Sequence, residues 1–232
     1  MALINNRELD FDCVGHMIKK INVAGLQLDN YSVHEAMMEL ERHVDSGQFY
    51  TIEEVTMDML LAAGNDDAVR AVLSSLDQTV IAENGILDAA GIKNVGRKRE
   101  IENRAFFFEL LKRLERNHRS IFVLGETEAV VTALRDFVEQ EFPRITFAGA
   151  EAMENCPGTA DAMINEINAA TPYAILSVLP SPAQEYFLNE HKEKLFVRLW
   201  YGIGGEPSMK RRFRLIRFLK DKIRVHQLLH FS

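Results

Sequence analysis

The chain has 232 residues, of which 47% are hydrophobic and 26% are charged, and its formal net charge is −7. This is the composition of an ordinary globular protein, and it excludes collagen-like, low-complexity and wholly disordered chains. No apolar run approaches the ~20 residues that a membrane-spanning helix requires. The two cysteines, Cys13 and Cys156, fit a reducing cytoplasm better than a disulfide framework, and the acidic start of the chain predicts no secretory signal.

The first part of the chain predicts a strand pair, then helices with one strand among them. Residues Lys20 to Leu28 alternate apolar and polar side chains, which is typical of a half-buried strand or hairpin. Ser32 and Glu35 have the spacing of a capping box at the start of a helix, and Gly47 ends that helix. The next predicted elements are a strand at Phe49 to Ile52, a helix at Thr56 to Ala63 and a helix capped by Asn65 or Asp66.

Short β-rich runs then alternate with amphipathic helices to the end of the folded body. The strands are predicted at Thr79 to Ala82, Ser120 to Leu124, Arg144 to Ala148, Ala174 to Val178 and Phe196 to Tyr201. The helices begin near Ile101, Thr127, Thr159 and Pro182. This alternation predicts an α/β fold, a largely parallel twisted sheet with helices on both faces in a Rossmann-like sandwich. A composition change near Gly204 separates a domain of residues 1–205 from an appendage of residues 206–232.

The appendage is strongly basic and the rest of the chain is acidic. From Met209 to Ser232 the chain has eight Lys and Arg residues and one acid, a charge of +7, which leaves −14 for the remainder. An acidic body argues against nucleic-acid binding, and the basic segment requires an anionic partner. We expect an amphipathic helix in which Arg211, Arg212, Arg214 and Arg217 contact phosphates or a membrane surface. The alternative is that this helix packs on the acidic body.

Polar residues follow several predicted strands at the edge where a parallel sheet binds ligands. Glu83, Asn84 and Gly85 come directly after one strand. Thr51 and Glu53 lie at the end of an earlier one. We expect these loops to converge with the turn after Leu179.

That turn carries two prolines and leads into a helix. Pro180 and Pro182 flank Ser181 and make the turn rigid. Gln184 and Glu185 then lie in the first turn of the helix, where backbone N–H groups and the helix dipole face a ligand. The alternative is a capped helix in which Glu185 only satisfies the dipole.

Several common chemistries lack support in the sequence. There is no dinucleotide or nucleotide phosphate loop, and no serine-hydrolase elbow. His226 and His230 have no third ligand in view, and Asp10 and Asp12 precede the sheet, so we predict no metal site and no cofactor.

The order of these signals is distinctive. The quoted segments are Ile21 to Asp29, Thr51, Asn84-Gly85, Ile121 to Gly125, Phe142-Pro143, Ile167-Asn168, Ser181 to Glu185 and Ile203 to Gly205. Together they resemble the WecG/TagA/CpsF glycosyltransferases (glycosyltransferase family 26) over about residues 21–205. The most specific piece is the run Ser-Pro-Ala-Gln-Glu at 181–185 in its strand-to-helix setting.

The resemblance implies an inverting transfer of N-acetylmannosamine, or a related sugar, from a UDP-sugar to a sugar on undecaprenyl diphosphate. It implies a cytoplasmic enzyme of cell-surface polysaccharide or teichoic-acid synthesis, peripherally bound to the membrane. Whether the chain is a monomer or a homo-oligomer is left open. The implied roles are positioning of donor and acceptor by Thr51 and Asn84, proton removal by Glu83 or Glu53, and substrate binding by Gly85, Gly125, Gln184, Glu185 and Gly204.

The sequence also departs from the family pattern. The family's catalytic Asp-Gly is Asn84-Gly85, and its Thr-x-Asn is Thr51-Ile52-Glu53. An amide does not accept a proton as a carboxylate does. Three hypotheses follow: a divergent glycosyltransferase, a non-catalytic paralogue that binds a sugar nucleotide or an active partner, and a regulatory α/β module unrelated to sugars.

Overall fold

The computed structural model describes residues 19–44, 47–156 and 160–204. The strands are β1 (Lys20–Val23), β2 (Leu26–Asp29), β3 (Tyr50–Val55), β4 (Gln78–Ile81), β5 (Ser120–Gly125), β6 (Thr146–Ala152), β7 (Ala174–Val178) and β8 (Leu199–Gly202). The helices are α1 (Val33–Val44), α2 (Met57–Asn65), α3 (Asp67–Ser75), α4 (Asn84–Ala89), α5 (Val95–Glu102), α6 (Ala105–Arg116), α7 (Glu128–Glu141), α8 (Ala160–Ala170) and α9 (Ala183–His191).

Six strands form one parallel sheet in the order β4-β3-β8-β7-β5-β6. The first two strands form a separate antiparallel hairpin. The predicted α/β fold with a parallel sheet is therefore confirmed. The carboxyl ends of β3, β8 and β7, which are neighbours in the sheet, lie along one edge.

Both faces of the sheet are covered by helices. Residues such as Leu110 of α6, Leu134 of α7 and Tyr201 of β8 form the core on one face, which α1 also covers. Trp200 of β8 packs on the other face with residues of α8 and α9, among them Ile167 and Phe187. Burial on both faces explains why β5 and β7 are nearly continuous apolar runs without polar alternation.

Local signals start the helices where the sequence indicates. The Ser32 hydroxyl receives the N–H of Glu35, and the Glu35 carboxylate receives the N–H of Ser32, so the capping box is confirmed. Thr56, Asp66 and Thr127 each accept a backbone N–H at the start of α2, α3 and α7. These caps satisfy donors that have no partner within the helix.

Several predicted boundaries are wrong, among them the end of β6, which is predicted at Ala148 and lies at Ala152. Strand β3 continues to Val55, because both Glu53 and Glu54 are buried within it. The helix expected from Ile101 is two helices, α5 and α6, joined at Arg104, whose φ is 49°. Strand β8 begins at Leu199, and Phe196 before it is 78% exposed.

Other predicted features lie outside the described residues. These are the boundary after residue 204, the basic appendage with Arg211, Arg212, Arg214 and Arg217, and Asp10, Asp12, Cys13, His226 and His230. Among the helices in the described ranges, none has the length and apolar character needed to cross a bilayer.

Gly125 gives a test of the packing between β5 and α7. A Cβ atom at this position would lie 2.7 Å from Val131 Cγ2 and 3.0 Å from Val178 Cγ2. We predict that Gly125→Ala lowers the free energy of unfolding by about 1–3 kcal/mol, because the core must shift to admit the methyl group. Chemical denaturation measures the loss.

The matched control is Gly64→Ala in α2, where no atom lies within 4 Å of the added carbon. This change is expected to raise stability by roughly 0.5–1 kcal/mol, as alanine favours the helix. Equal stability of Gly125→Ala and the wild type would contradict the packing role.

Candidate functional site

The candidate site lies at the carboxyl edge of the parallel sheet. Asn84 begins α4 after β4, Gln184 and Glu185 lie in the first turn of α9 after β7, and Gly204 follows β8. Ligands of open α/β sheets bind at this edge. The structure thus brings the predicted loops together at one edge. One predicted site residue does not lie there.

That residue is Thr51, whose predicted position is wrong. It is the second residue of β3, and its N–H and hydroxyl both donate to Asp77 Oδ2, each over 2.8 Å. Asp77 precedes β4 and Asn84 follows it, so Thr51 lies roughly 15 Å along the strand from the carboxyl edge. The polar residue that does follow β3 is Thr56, and its side chain caps α2.

A row of three residues forms the floor of the site. Glu53, Gly202 and Ser177 lie side by side on β3, β8 and β7. A Cβ atom at Gly202 would lie 2.5 Å from Gln184 Nε2 and 2.8 Å from Glu53 Cγ. The missing side chain at Gly202 therefore makes the notch in which the Gln184 amide lies beside the Glu53 carboxyl group.

The polar groups around this notch are buried and lack partners. Glu53, Gln184 and Glu185 have no exposed surface. Glu53 Oε2, both amide atoms of Gln184 and both carboxylate oxygens of Glu185 make no hydrogen bond within the described ranges. Each such buried group costs about 1–3 kcal/mol when it stays unsatisfied. This arrangement fits a polar ligand that supplies the missing partners.

Burial keeps a proton on Glu53. Burial, with the nearby Glu185 carboxylate, raises the pKa of Glu53 to about 8, while a hydrogen bond from Trp200 and the Gln184 amide lower it. The Trp200 Nε1–H donates to Glu53 Oε1 over 3.2 Å. Burial likewise raises the pKa of Glu185. Near neutral pH Glu53 is mainly a neutral carboxyl group, which donates a hydrogen bond rather than accepting a proton.

The next residue, Glu54, faces the opposite side of the sheet and is fully paired. The Tyr201 hydroxyl donates to Glu54 Oε1, and Arg104 Nη2 donates to Oε2 over 2.7 Å. Glu54 and Arg104, together with Arg97 and Glu100, line a cavity of ≈ 30 Å³, which has room for about two water molecules. Removal of one partner from a buried ion pair is strongly destabilising, so this cluster supports the fold.

Asn84 pairs with a carboxylate from another helix. Its Nδ2 donates to Glu102 Oε1 over 2.7 Å, and its Oδ1 is buried with no partner in the described part of the chain. Glu102 is the last residue of α5 and is exposed. Glu83, in contrast, accepts the backbone N–H of Met57 over 3.4 Å.

The glycines proposed for binding differ in their structural roles. Gly204 has φ +79°, a conformation that favours glycine, and no atom of the described residues lies within 4 Å of a Cβ added there. Gly85 would bring an added carbon into ordinary contact with Met57 Cγ at 3.8 Å, and Gly125 is required by packing. Their part in substrate binding stays a prediction.

Sequence reasoning missed Glu102, Trp200 and Arg104. Glu102 ends a helix and does not follow a strand, so no position rule selects it. Trp200 lies within a predicted strand, where an aromatic residue indicates core. The sequence offered one signal for Trp200, which is that it is the single tryptophan of the chain.

Comparisons with known proteins agree on one family. The profile of the Glycosyl transferase WecG/TagA/CpsF family matches residues 21–207. The chain is 22% identical over 195 residues to the N-acetylglucosaminyldiphosphoundecaprenol N-acetyl-beta-D-mannosaminyltransferase of Staphylococcus aureus strain NCTC 8325 / PS 47, with 80% of this chain and 73% of that protein covered. It is 21% identical, with the same coverage, to the protein of that name from strain MRSA252.

The raised pKa of Glu53 predicts a pH dependence of stability. Between about pH 4.5 and about pH 8 the folded protein holds a proton on Glu53 that the unfolded chain has lost. The free energy of unfolding therefore falls as pH rises through this window, by up to about 1.4 kcal/mol per pH unit from this group. Glu53→Gln stays neutral and removes this contribution, which denaturant unfolding at several pH values measures.

The control is Glu193→Gln, an exposed acid before β8. Its stability curve should run parallel to that of the wild type, whereas Glu53→Gln should gain on the wild type as pH rises. Parallel curves for all three proteins would refute a proton on buried Glu53.

Proposed function

Since this chain belongs to the WecG/TagA/CpsF glycosyltransferase family, we propose that it transfers N-acetylmannosamine or a related sugar from a UDP-sugar to a lipid-linked acceptor. The acceptor is a sugar carried on undecaprenyl diphosphate, and the transfer inverts the anomeric carbon. The family match covers residues 21–207 and therefore the whole six-stranded sheet, from β3 to β8. The printed name of the Staphylococcus aureus relatives supports the transferred sugar and the lipid-diphosphate acceptor.

The observation that carries this proposal is the buried polar cluster of Glu53, Gln184 and Glu185. Five of its side-chain atoms, of which four are oxygens, lack partners among the described residues. A sugar nucleotide presents many hydroxyl and amide donors on its neutral parts. Such donors satisfy the oxygens of Glu185 and Gln184, which an apolar ligand leaves buried and unpaired.

The composition of the cluster also orients the proposed donor. Glu53, Gln184 and Glu185 include no cationic side chain, whereas a diphosphate is bound by cations such as Arg and Lys. We therefore assign the cluster to the sugar or nucleoside and not to the phosphates. The basic segment from Lys210 to Arg224 is the proposed partner of the donor or lipid diphosphate.

A second candidate function is sugar-nucleotide binding without transfer, as an accessory paralogue. The observation in its favour is the amide at Asn84, where the family resemblance implies an acid. Glu53 does not replace that acid readily, because it is mainly protonated near neutral pH. Nucleotide binding is common to both candidates, and transfer separates them.

Binding is tested with UDP-sugars and Gln184→Ala. Trp200 is the single tryptophan of the chain and contacts Glu53, so its fluorescence reports on occupation of the notch. We expect UDP-N-acetylmannosamine to change the emission of the wild type and Gln184→Ala to weaken binding at least tenfold, about 1.4 kcal/mol. Gln140→Ala, on the exposed face of α7, is the matched control and should bind normally.

Transfer is measured in the same samples with a short-chain lipid diphosphate that carries N-acetylglucosamine. Product formation supports the transferase, and binding without product supports the accessory role. Absence of binding to every UDP-sugar would refute both candidates.

We further propose that the protein works at the inner face of the membrane, held there by its basic segment. Replacement of Arg211, Arg212, Arg214 and Arg217 by Gln keeps the chain length and removes four charges. Since each contributes about 1 kcal/mol at an anionic surface, we expect roughly 10³-fold weaker binding to phosphatidylserine vesicles. Vesicle co-sedimentation measures this, with uncharged vesicles as control. Unchanged sedimentation would indicate that the segment contacts the protein body.

A further inference from the structure

The proposed transfer needs a group that takes a proton from the acceptor. The acceptor's hydroxyl oxygen forms a bond to the anomeric carbon, and its hydrogen must leave as that bond forms. A carboxylate suits this step when it is open to the substrate, held in place and free to release the proton afterwards. The described residues around the ends of β3, β4 and β7 offer several carboxylates, and most of them fail one of these conditions.

The buried acids do not meet these conditions. Glu53 and Glu185 are buried with no cationic partner among the described residues, and burial raises the pKa of both. Glu54 is fixed on the other face of the sheet by Arg104 and Tyr201. Glu83 accepts a backbone N–H from the β3–α2 connection. Each of these groups is already used or lies away from the open edge.

Glu102 meets the conditions. It is exposed, it ends α5, and the Asn84 amide donates to its Oε1 over 2.7 Å. The amide thus fixes the carboxylate, in the way that a hydrogen-bonded neighbour orients a general base. Solvent exposure gives the proton a route to water after each turnover.

We propose that Glu102 is the proton acceptor of the transfer and that Asn84 positions it, an inference that rests on the proposed function. The acceptor oxygen attacks the anomeric carbon, and the bond from that carbon to the UDP oxygen breaks, with its electron pair leaving on UDP. The hydroxyl proton passes to a Glu102 oxygen and from there to solvent. The products are the new glycoside, UDP and one proton.

The pair explains why an amide is tolerated at position 84. Asp and Asn have the same shape, so an acid at 84 would put two carboxylates within hydrogen-bond distance of each other. With Asn84 the two side chains attract each other, and the Glu102 carboxylate is hydrogen-bonded to the side chain at position 84. In this chain the amide of the pair lies on α4 at position 84 and the acid lies on α5 at position 102.

The test is an exchange of the two side chains in the full-length protein. Glu102→Gln should lower kcat about 10²- to 10⁴-fold, the usual cost of a lost general base, while UDP-sugar binding by Trp200 fluorescence stays unchanged. Asn84→Asp alone should also lose activity, because two carboxylates then repel. The double variant Asn84→Asp/Glu102→Gln restores one acid and one amide, and we expect it to recover at least tenfold over Glu102→Gln.

Glu193→Gln is the control, because this exposed acid lies before β8, at the opposite edge of the sheet. Full activity of Glu102→Gln would overturn the assignment, and so would transfer that appears only in Asn84→Asp. A wild type that binds UDP-sugars without transfer overturns it too, in favour of the accessory role. Failure of the proposed function itself is distinguished by the loss of UDP-sugar binding in every variant, including the wild type.

Discussion

The site depends on the burial of two consecutive glutamates in a strand inside the sheet. Side chains of a strand alternate between its faces, so Glu53 and Glu54 point to opposite sides of β3. Glu54 meets Arg104 and Tyr201, which satisfy both of its oxygens. Glu53 has no cationic partner in the described part of the chain, and burial raises its pKa, so that it lies beside Gln184 with one carboxyl oxygen unpaired. One strand therefore supplies a structural acid to one face and a binding acid to the other.

The absence of a side chain at Gly202 forms the notch between Glu53 and Gln184. A side chain at this position would collide with Gln184 and Glu53, so the absence of one lets α9 lower its first turn onto the sheet. The Tyr186 hydroxyl also donates to Asp66 at the start of α3, which ties α9 to its neighbouring helix. The cluster is consequently held by rigid elements, a condition for binding groups that must be positioned in advance.

The distribution of charge assigns different portions of the proposed substrate to different parts of the chain. The notch holds two acidic side chains and favours the neutral, hydroxyl-rich portion of a sugar nucleotide. Positive charge is concentrated after residue 209, outside the described residues. The Staphylococcus aureus relatives share the family at 22% identity.

Periodicity, caps and turn residues determined the order of the strands, the parallel α/β sheet and the edge at which Asn84, Gln184 and Glu185 lie, but not α4 or the division between α5 and α6. These properties depend on residues close in sequence, and the family resemblance depends on the same local motifs. Tertiary structure alone decided that Thr51 belongs to the amino end of β3, bound to Asp77, and that Glu53 lies in the notch. It also brought Glu102 to Asn84 from 18 residues away. Contacts of that kind depend on how helices pack around a sheet, and no local pattern encodes them.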